Sequence, residues 1–499
     1  MKNWMKVISV SLAVLMLFSM SGCDMLVQKD ETPRTSIIEV GGDSTTTTTG
    51  ADDPATEDSD VPGDTTTKGD VTGTTTTKGN TPGGKTTTTK TTKAQSKTEK
   101  KLSGNLELQI FVNGSDNNVF WEGLINDFED ANPDVKVITR IGTNVGTQLA
   151  TRWMQGNPPD IANGGTGMDA TAYMESGLFE DLTDFAKTAT VYGSSEKIWD
   201  KIKPESVEYF NGKIYHIPNT ATNYGLWYDA AYFKKNGLTV PKNYEDLMAL
   251  ADKCQKLGIG GVAYPGTSGA YLYWGMIMPA LAAYGKDFFD QVCSAKDPSV
   301  FKSANFKAVM QRLIDLAGKN GGFMKGTVAI NHTQSQMQWL NHRAALMSCG
   351  SWLESEMKTN IPLGFEMRYS TASLVTKSQK PTVVLMGGGM YIAAKGKNKE
   401  NAKEFLRFMY QDKYLLGIME SYGYMTATKV DASKAKLTTT TKEMIKTVNS
   451  MNVVWKTQTM KSTFDNEFRN VNNAIVLGNI KNVDEACNRL YDVAKKNLK

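Results

Sequence analysis

Among side chains able to do chemistry, the histidines are scarce. Only His216, His332 and His342 occur in 499 residues, too few and too scattered for a dedicated metal centre, and no cofactor is expected. No G-x-S-x-G, H-E-x-x-H or P-loop spacing is present to supply an activated nucleophile, a zinc-bound water or a phosphate cradle. Gly387-Gly388-Gly389 lacks dinucleotide spacing and reads as a place where backbones approach closely at a lobe junction. Paired carboxylates remain the one catalytic constellation the sequence permits. Hydrolysis of a glycosidic bond needs two of them about 5 to 10 Å apart, and Asp169, Glu354 and Asp465 are the candidates. Cys254, Cys293, Cys349 and Cys487 could pair, but Cys254 shares a helical face with Leu247 and Leu250, so buried free thiols are expected.

Positioning any such residues requires a folded core, and the chain confines it to one part. Residues 41–100 contain no Leu, Ile, Met, Phe, Tyr, Trp or Cys, while 22 Thr fall between positions 45 and 98. That composition cannot bury enough apolar surface to fold and reads as a disordered, solvated linker. The 399 residues from 101 to 499 carry 45 basic against 39 acidic side chains, evenly spread. No nucleic-acid footprint is present. A stretch of this length exceeds what one core sustains and should divide into lobes with a binding cleft between them.

Lys2 and Lys6 precede an apolar run from Val7 to Met20, too short to span a bilayer and matched to a signal-peptide core. It ends in Met20-Ser21-Gly22-Cys23, which resembles a bacterial lipobox. The resemblance implies cleavage after residue 22 and acylation of Cys23, tethering the protein outside the cell membrane by its N-terminal lipid.

Alternation at Leu106, Leu108, Ile110 and Val112 predicts a strand, and Trp121, Leu124, Ile125 and Phe128 follow at helical spacing. A second strand over 135–139, a helix carrying Leu149 and Trp153, and a third strand entered by Pro158-Pro159 complete a β-α-β-α-β run. Such a run forms a parallel sheet whose ligands sit beyond the strands' carboxyl ends, here the loops 113–118 and 163–169. Further on, 214–218 and 224–228 read as extended, 244–257 and 306–316 as amphipathic helices, and 344–347 and 390–394 as strands. Residues 468–498 read as helical with a break at Gly478-Asn479.

Asn132-Pro133-Asp134-Val135, Gly156-Asn157-Pro158-Pro159-Asp160-Ile161 and Ser176-Gly177-Leu178-Phe179 with Leu182 carry a resemblance, joined by Tyr215 to Pro218 with Trp227-Tyr228, Ala344 to Trp352, and Ala402-Lys403-Glu404-Phe405-Leu406. In this order they resemble the maltose-binding-protein-like solute-binding proteins of bacterial carbohydrate ABC importers, over residues 105–499. His332 to Gln336 followed by Gly350 to Glu356 resembles the subfamily binding N-acetylglucosamine and diacetylchitobiose.

The resemblance implies an α/β, two-lobed periplasmic-binding-protein-like fold with a ligand cleft. An N-lobe of 101–220 and 387–425 and a C-lobe of 221–386 and 426–499 are expected, preceded by the signal peptide 1–22, an anchor-proximal segment 23–40 and the linker. Hinge crossings are expected near 218–225, 363–370 and 422–428. The implied partners are a neutral sugar and the permease subunits of an importer, with the protein itself a monomer and not an enzyme.

A sugar site needs aromatic faces for stacking and planar polar groups for the hydroxyls. The family's positions fall on Trp352 and Tyr271, with Trp274 beside the latter, Asp169 in the loop after the third strand, and Asn223 next to Thr222. Tyr264, Gln334, Gln336, Glu354 and Tyr424 are further candidates, and Asp465-Asn466 replace a C-terminal aromatic contact. The amides of Asn223, Gln334 and Gln336 are expected to address hydroxyl or acetamido groups. The candidate carboxylates thus fall on binding motifs, with a surface glycoside hydrolase or a wall-adhesion protein as the alternatives.

Overall fold

The computed structural model describes residues 36–39, 102–113, 115–165 and 167–498. Cys23, the signal segment and the Thr-rich linker lie outside the described residues.

Two sheets organise the chain. The first has the order β1-β3-β2-β4-β10, formed by β1 (Ser36–Glu39), β2 (Gly104–Phe111), β3 (Val135–Gly142), β4 (Ile161–Asn163) and β10 (Met390–Ile392). β2 pairs in parallel with β3 and β4, while β10 runs antiparallel to β4. Alternation drives Leu106, Leu108 and Ile110 of β2 wholly inside, where the helix Ser115–Ala131 covers them with Trp121, Leu124, Ile125 and Phe128. The Phe128 ring meets Phe405 and Phe408 edge-on at 5.1 and 5.4 Å. Each such side chain contributes roughly 1.5 to 3 kcal/mol through burial. The sequence placed the first strand at Leu106, but the short β1 precedes it, pairing in parallel with the outer edge of β3.

The second sheet has the order β11-β9-β5-β7-β6, from β5 (Thr220–Asp229), β6 (Gly260–Ala263), β7 (Ala344–Gly350), β9 (Thr382–Gly388) and β11 (Asn452–Lys456), with β8 (Met367–Ser370) also on β5. β5 is its spine: Thr220 to Asn223 pair with β9, and the later residues pair with β7 on one side and β8 on the other. Successive residues point to opposite faces. Leu226 therefore enters a core with Ile277, Phe306, Phe468 and Leu490, and Trp227 enters another with Trp339, Met347 and Met444. The helices Ser462–Val476 and Val483–Lys496 close the first of these cores, with Gly478 at φ +74° turning the chain between them.

The chain passes between the sheets just before Thr220, at Gly388 to Met390, and after Tyr422, where Met425 bridges Ala221 and Thr428 bridges Ile202. An expected crossing at 363–370 is not one, because β8 pairs with Leu226 to Asp229 and keeps that stretch inside the second sheet. The return crossing lies at the glycine triplet instead. A Cβ on Gly389 would come 2.1 Å from the Ile217 carbonyl oxygen, and one on Gly387 2.3 Å from that of Ser206. Only glycine lets these backbones meet. The extended reading of 214–218 is also corrected: these residues form an irregular connection, with strand beginning at Thr220. All four described cysteines are free and buried.

Candidate functional site

A cleft of about 740 Å³ opens where the two sheets face each other. From the first sheet it receives Phe111 and Asn113 at the end of β2, Asn117 in the first turn of the following helix, and Gly164, Gly165 and Gly167 to Asp169 beyond β4. These are the carboxyl ends of parallel strands, where a ligand meets backbone rather than side-chain bulk. A Cβ on Gly165 would lie 2.3 Å from the Phe111 ring, so glycine keeps that aromatic against the loop.

The opposite wall is aromatic. Tyr224 of β5 meets Trp352 edge-to-face at 5.0 Å and 87°, and Tyr271 at 5.1 Å and 89°. Trp352 approaches Tyr424 at 6.2 Å, and Tyr424 stacks on Tyr422 at 4.9 Å. The turn explains how Trp352 reaches this position: the Ser351 N–H donates to the Asn223 carbonyl at 3.0 Å, and the indole folds back over Gly350, where a Cβ would strike it at 2.2 Å. Burial above all pushes the phenols of Tyr224, Tyr271 and Tyr424 upward. They stay neutral, able both to donate and to accept.

Charged groups in the cleft are held. Asp169 accepts from the Ala172 N–H at 3.0 Å, capping the helix Ala170–Glu175, while its other oxygen accepts from the Ser462 hydroxyl at 2.9 Å across the mouth. Lys358 and Asp116 form a second bridge between the two sides at 2.7 Å. Asp465 accepts from the Tyr273 hydroxyl and from Arg469, whose Nε lies 2.9 Å away. Burial works against the Arg469 charge, but Tyr273 and Asp465 outweigh it and raise its pKa. Glu356 accepts through Oε2 from His332 Nε2 at 2.6 Å and Gln336 Nε2 at 2.7 Å. Asn117 is buried, and its Oδ1 has no hydrogen-bond partner among the described residues.

Residues 113–415 match the sequence profile of the bacterial extracellular solute-binding proteins. The chain belongs to that family. It is 26% identical over 289 residues to the diacetylchitobiose binding protein NgcE of Streptomyces coelicolor, a match spanning 56% of this chain and 60% of that one. With the multiple sugar-binding protein of Streptococcus mutans it shares 23% over 322 residues, 63% and 73% of the two chains. An ABC transporter solute binding protein of Thermotoga lettingae, solved bound with alpha-D-tagatose, superposes with a TM-score of 0.63 at 20% identity over 80% of this chain and 100% of that one. The two-lobed solute-binding fold accounts for both sheets and the cleft between them.

In this solute-binding protein Trp352, Tyr271, Tyr424 and Asp169 line the cleft, together with Thr222, Asp465 and Asn466. Six other expected site residues lie elsewhere. Asn223 is fully buried on the far face of β5 and donates to the Tyr369 hydroxyl at 2.9 Å, since strand alternation gives the cleft Thr222 and Tyr224 instead. Trp274 sits in the second lobe's core, 8% exposed, because the helix widens into a π-turn at Tyr273–Ile277 and carries it off the face of Tyr271. Tyr264 is buried with its hydroxyl donating to Asn473 Oδ1 at 2.9 Å.

Gln334 is exposed and forms a reciprocal cap with Asn331 at the start of the helix His332–Leu340. Glu354 accepts from Thr438 and Thr441, two residues and more than half a helical turn away from Glu356. Gln336 stands behind the wall, holding Glu356. Asn117 falls in the expected ligand loop 113–118, whereas Tyr224, Tyr422, Phe111, Glu356 and Arg469 were not expected at the site. Period-two alternation from Thr222 would have found Tyr224; the others depend on tertiary placement. Among the described residues, no helix is long and apolar enough to cross a membrane, and no cluster of three metal-ligating side chains occurs.

Proposed function

We propose that this solute-binding protein captures a neutral mono- or oligosaccharide in the cleft and delivers it to the permease subunits of an ABC importer. The observation that carries the reading is the wall of Trp352, Tyr224, Tyr271 and Tyr424, four aromatic rings facing glycine-rich loops and Asn117, whose carbonyl has no partner among the described residues. Aromatic faces stack on sugar C–H surfaces, while Asn113, Asn117 and Asn466 offer planar groups for hydroxyls. NgcE and the Streptococcus mutans relative are both named as sugar-binding proteins, the same ligand class.

Binding without turnover fits the carboxylates. A glycosidase needs one protonated acid and one free base or nucleophile across the bond, whereas Asp465 is paired with Arg469, Asp169 caps a helix, Glu354 lies outside the cleft, and Glu356 is held by His332 and Gln336. The finer reading is diacetylchitobiose or a related N-acetylglucosamine sugar. It now rests on similarity to NgcE, since the amides expected to address the acetamido group lie outside the cleft. The protein is further read as a monomer, anchored through acylated Cys23 on the outer face of the cell membrane.

A thermal-shift panel of mono- and oligosaccharides tests the carbohydrate reading, since a ligand at 100 times its Kd stabilises by about 2.7 kcal/mol. No shift with any sugar would overturn it, and release of reducing ends would favour a hydrolase. Calorimetry comparing diacetylchitobiose with cellobiose tests the finer reading. Equal or tighter binding of cellobiose retires the N-acetyl assignment.

A further inference from the structure

We infer that Glu356 is the specificity-determining acceptor of the cleft, and that His332 and Gln336 are positioning residues that aim it; this rests on the carbohydrate reading above. Glu356 lines the cleft, yet only Oε2 is engaged, by two donors from the helix His332–Leu340 behind the wall. With Glu356 as the acceptor, His332 Nε2 is the donor in that contact, and His332 Nε2 and Gln336 Nε2 lie 3.1 Å from each other, so the three side chains form one cluster. Two donors on one oxygen fix the plane of the carboxylate. Oε1 has no hydrogen bond among the described residues and is left for the cleft.

The clamp carries its own cost. Gln336 is fully buried, and while its Nε2 serves Glu356 its Oε1 has no partner among the described residues. A buried amide left half-satisfied points to a role other than packing. The surroundings determine what Oε1 can take. The neighbouring phenols are neutral, and the Arg469 charge is already matched by Asp465. The fixed carboxylate therefore selects a sugar that presents a hydroxyl or amide N–H at this point, and repels one carrying a carboxylate of its own.

Calorimetry on the full chain tests this with diacetylchitobiose, cellobiose, maltotriose and digalacturonate. The wild type should bind at least one neutral sugar and not digalacturonate. Glu356→Gln should raise that Kd at least about tenfold without lowering the melting temperature. Gln336→Leu should raise it about threefold in the wild type and leave it unchanged in the Glu356→Gln background, a coupling that a purely structural role would not show. Should Glu356→Gln fail to fold, Glu356→Asp, which keeps the charge but draws Oε1 back by one methylene, should show the same loss. Neutral-sugar binding within twofold of wild type in the folded variant, or equal binding of digalacturonate, overturns the assignment alone. No binding of any sugar by the wild type overturns the carbohydrate reading and this assignment with it.

Discussion

Trp352 is the side chain on which most of the cleft's aromatic wall converges, its indole meeting Tyr224, Tyr271 and Tyr424 edge-on. It is half-buried rather than core. Trp352→Ala should therefore weaken sugar binding by about 2 kcal/mol or more, as truncating an aromatic anchor does at other binding hot spots. Equilibrium titration alongside near-UV circular dichroism checks this, with an unfolded variant indicating a packing role instead. Trp352 was legible in the sequence through the family resemblance, as the aromatic position after the Gly-Ser turn that ends an apolar strand. Asn223 and Glu354 were misplaced by one and two positions, an error that matters because one residue along a strand, or two along a helix, changes the face. Glu356 was invisible as a site residue, since its role depends on a helix more than fifteen positions upstream.

At the scale of elements, the connection between the sheets contains a buried charge cluster. Glu208 pairs with Lys456 of β11, their side chains only 11% and 12% exposed, and also accepts from Thr459. Burial tends to raise the Glu208 pKa, but Lys456, His216 and the hydrogen bonds outweigh it and hold the pKa below the usual carboxylate value. His216 is lowered, chiefly by burial. The signs follow. The unfolded chain takes up a proton on His216 near pH 6.5 while the folded chain resists, so stability falls as pH drops below about 6.5. The Glu208 contribution is present above about pH 4.3 and is lost as pH falls through its depressed folded value. Urea midpoints from pH 7 to 3 should show both declines, and His216→Gln should remove the upper one. Glu208→Gln should cost about 3 to 5 kcal/mol at neutral pH by leaving Lys456 buried and uncompensated; a change below 1 kcal/mol would mean that water reaches the pair. The β-α-β-α-β run was legible because its periodicities are long and clean. The three-residue β4 and β10 were legible only from the prolines and glycines that precede them; β6, β8 and β11 were not read as strands, and β9 was masked by the glycines that end it.

For the whole molecule, the question is how tether, lobes and cleft depend on one another. Every described residue lining the cleft lies at or beyond Phe111. Deleting residues 41–100 should thus leave the sugar Kd unchanged, even though a parallel crossover needs a dozen or more residues and β1 could no longer keep its place beside β3. A tenfold loss of affinity would show that the preceding segment supports the site. Cys23→Ala should release the protein from the membrane fraction or leave it unprocessed, and normal maturation with retention would refute the lipid anchor. The two-lobed architecture was legible from ordered motifs spread over the chain. The glycine triplet was legible as a point of close backbone approach where the expected N-lobe resumes at 387, but its partners Ile217 and Ser206 were not, being set by the assembled fold.

Whether the aromatic cleft holds a carbohydrate is decided by calorimetric titration of the wild type and Trp352→Ala with diacetylchitobiose, cellobiose, maltotriose and raffinose. The wild type should show saturable, one-site binding of at least one of these sugars, without release of reducing ends, and the folded variant should lose it. Absence of binding to all four by the folded wild type, or undiminished binding by Trp352→Ala, would contradict it.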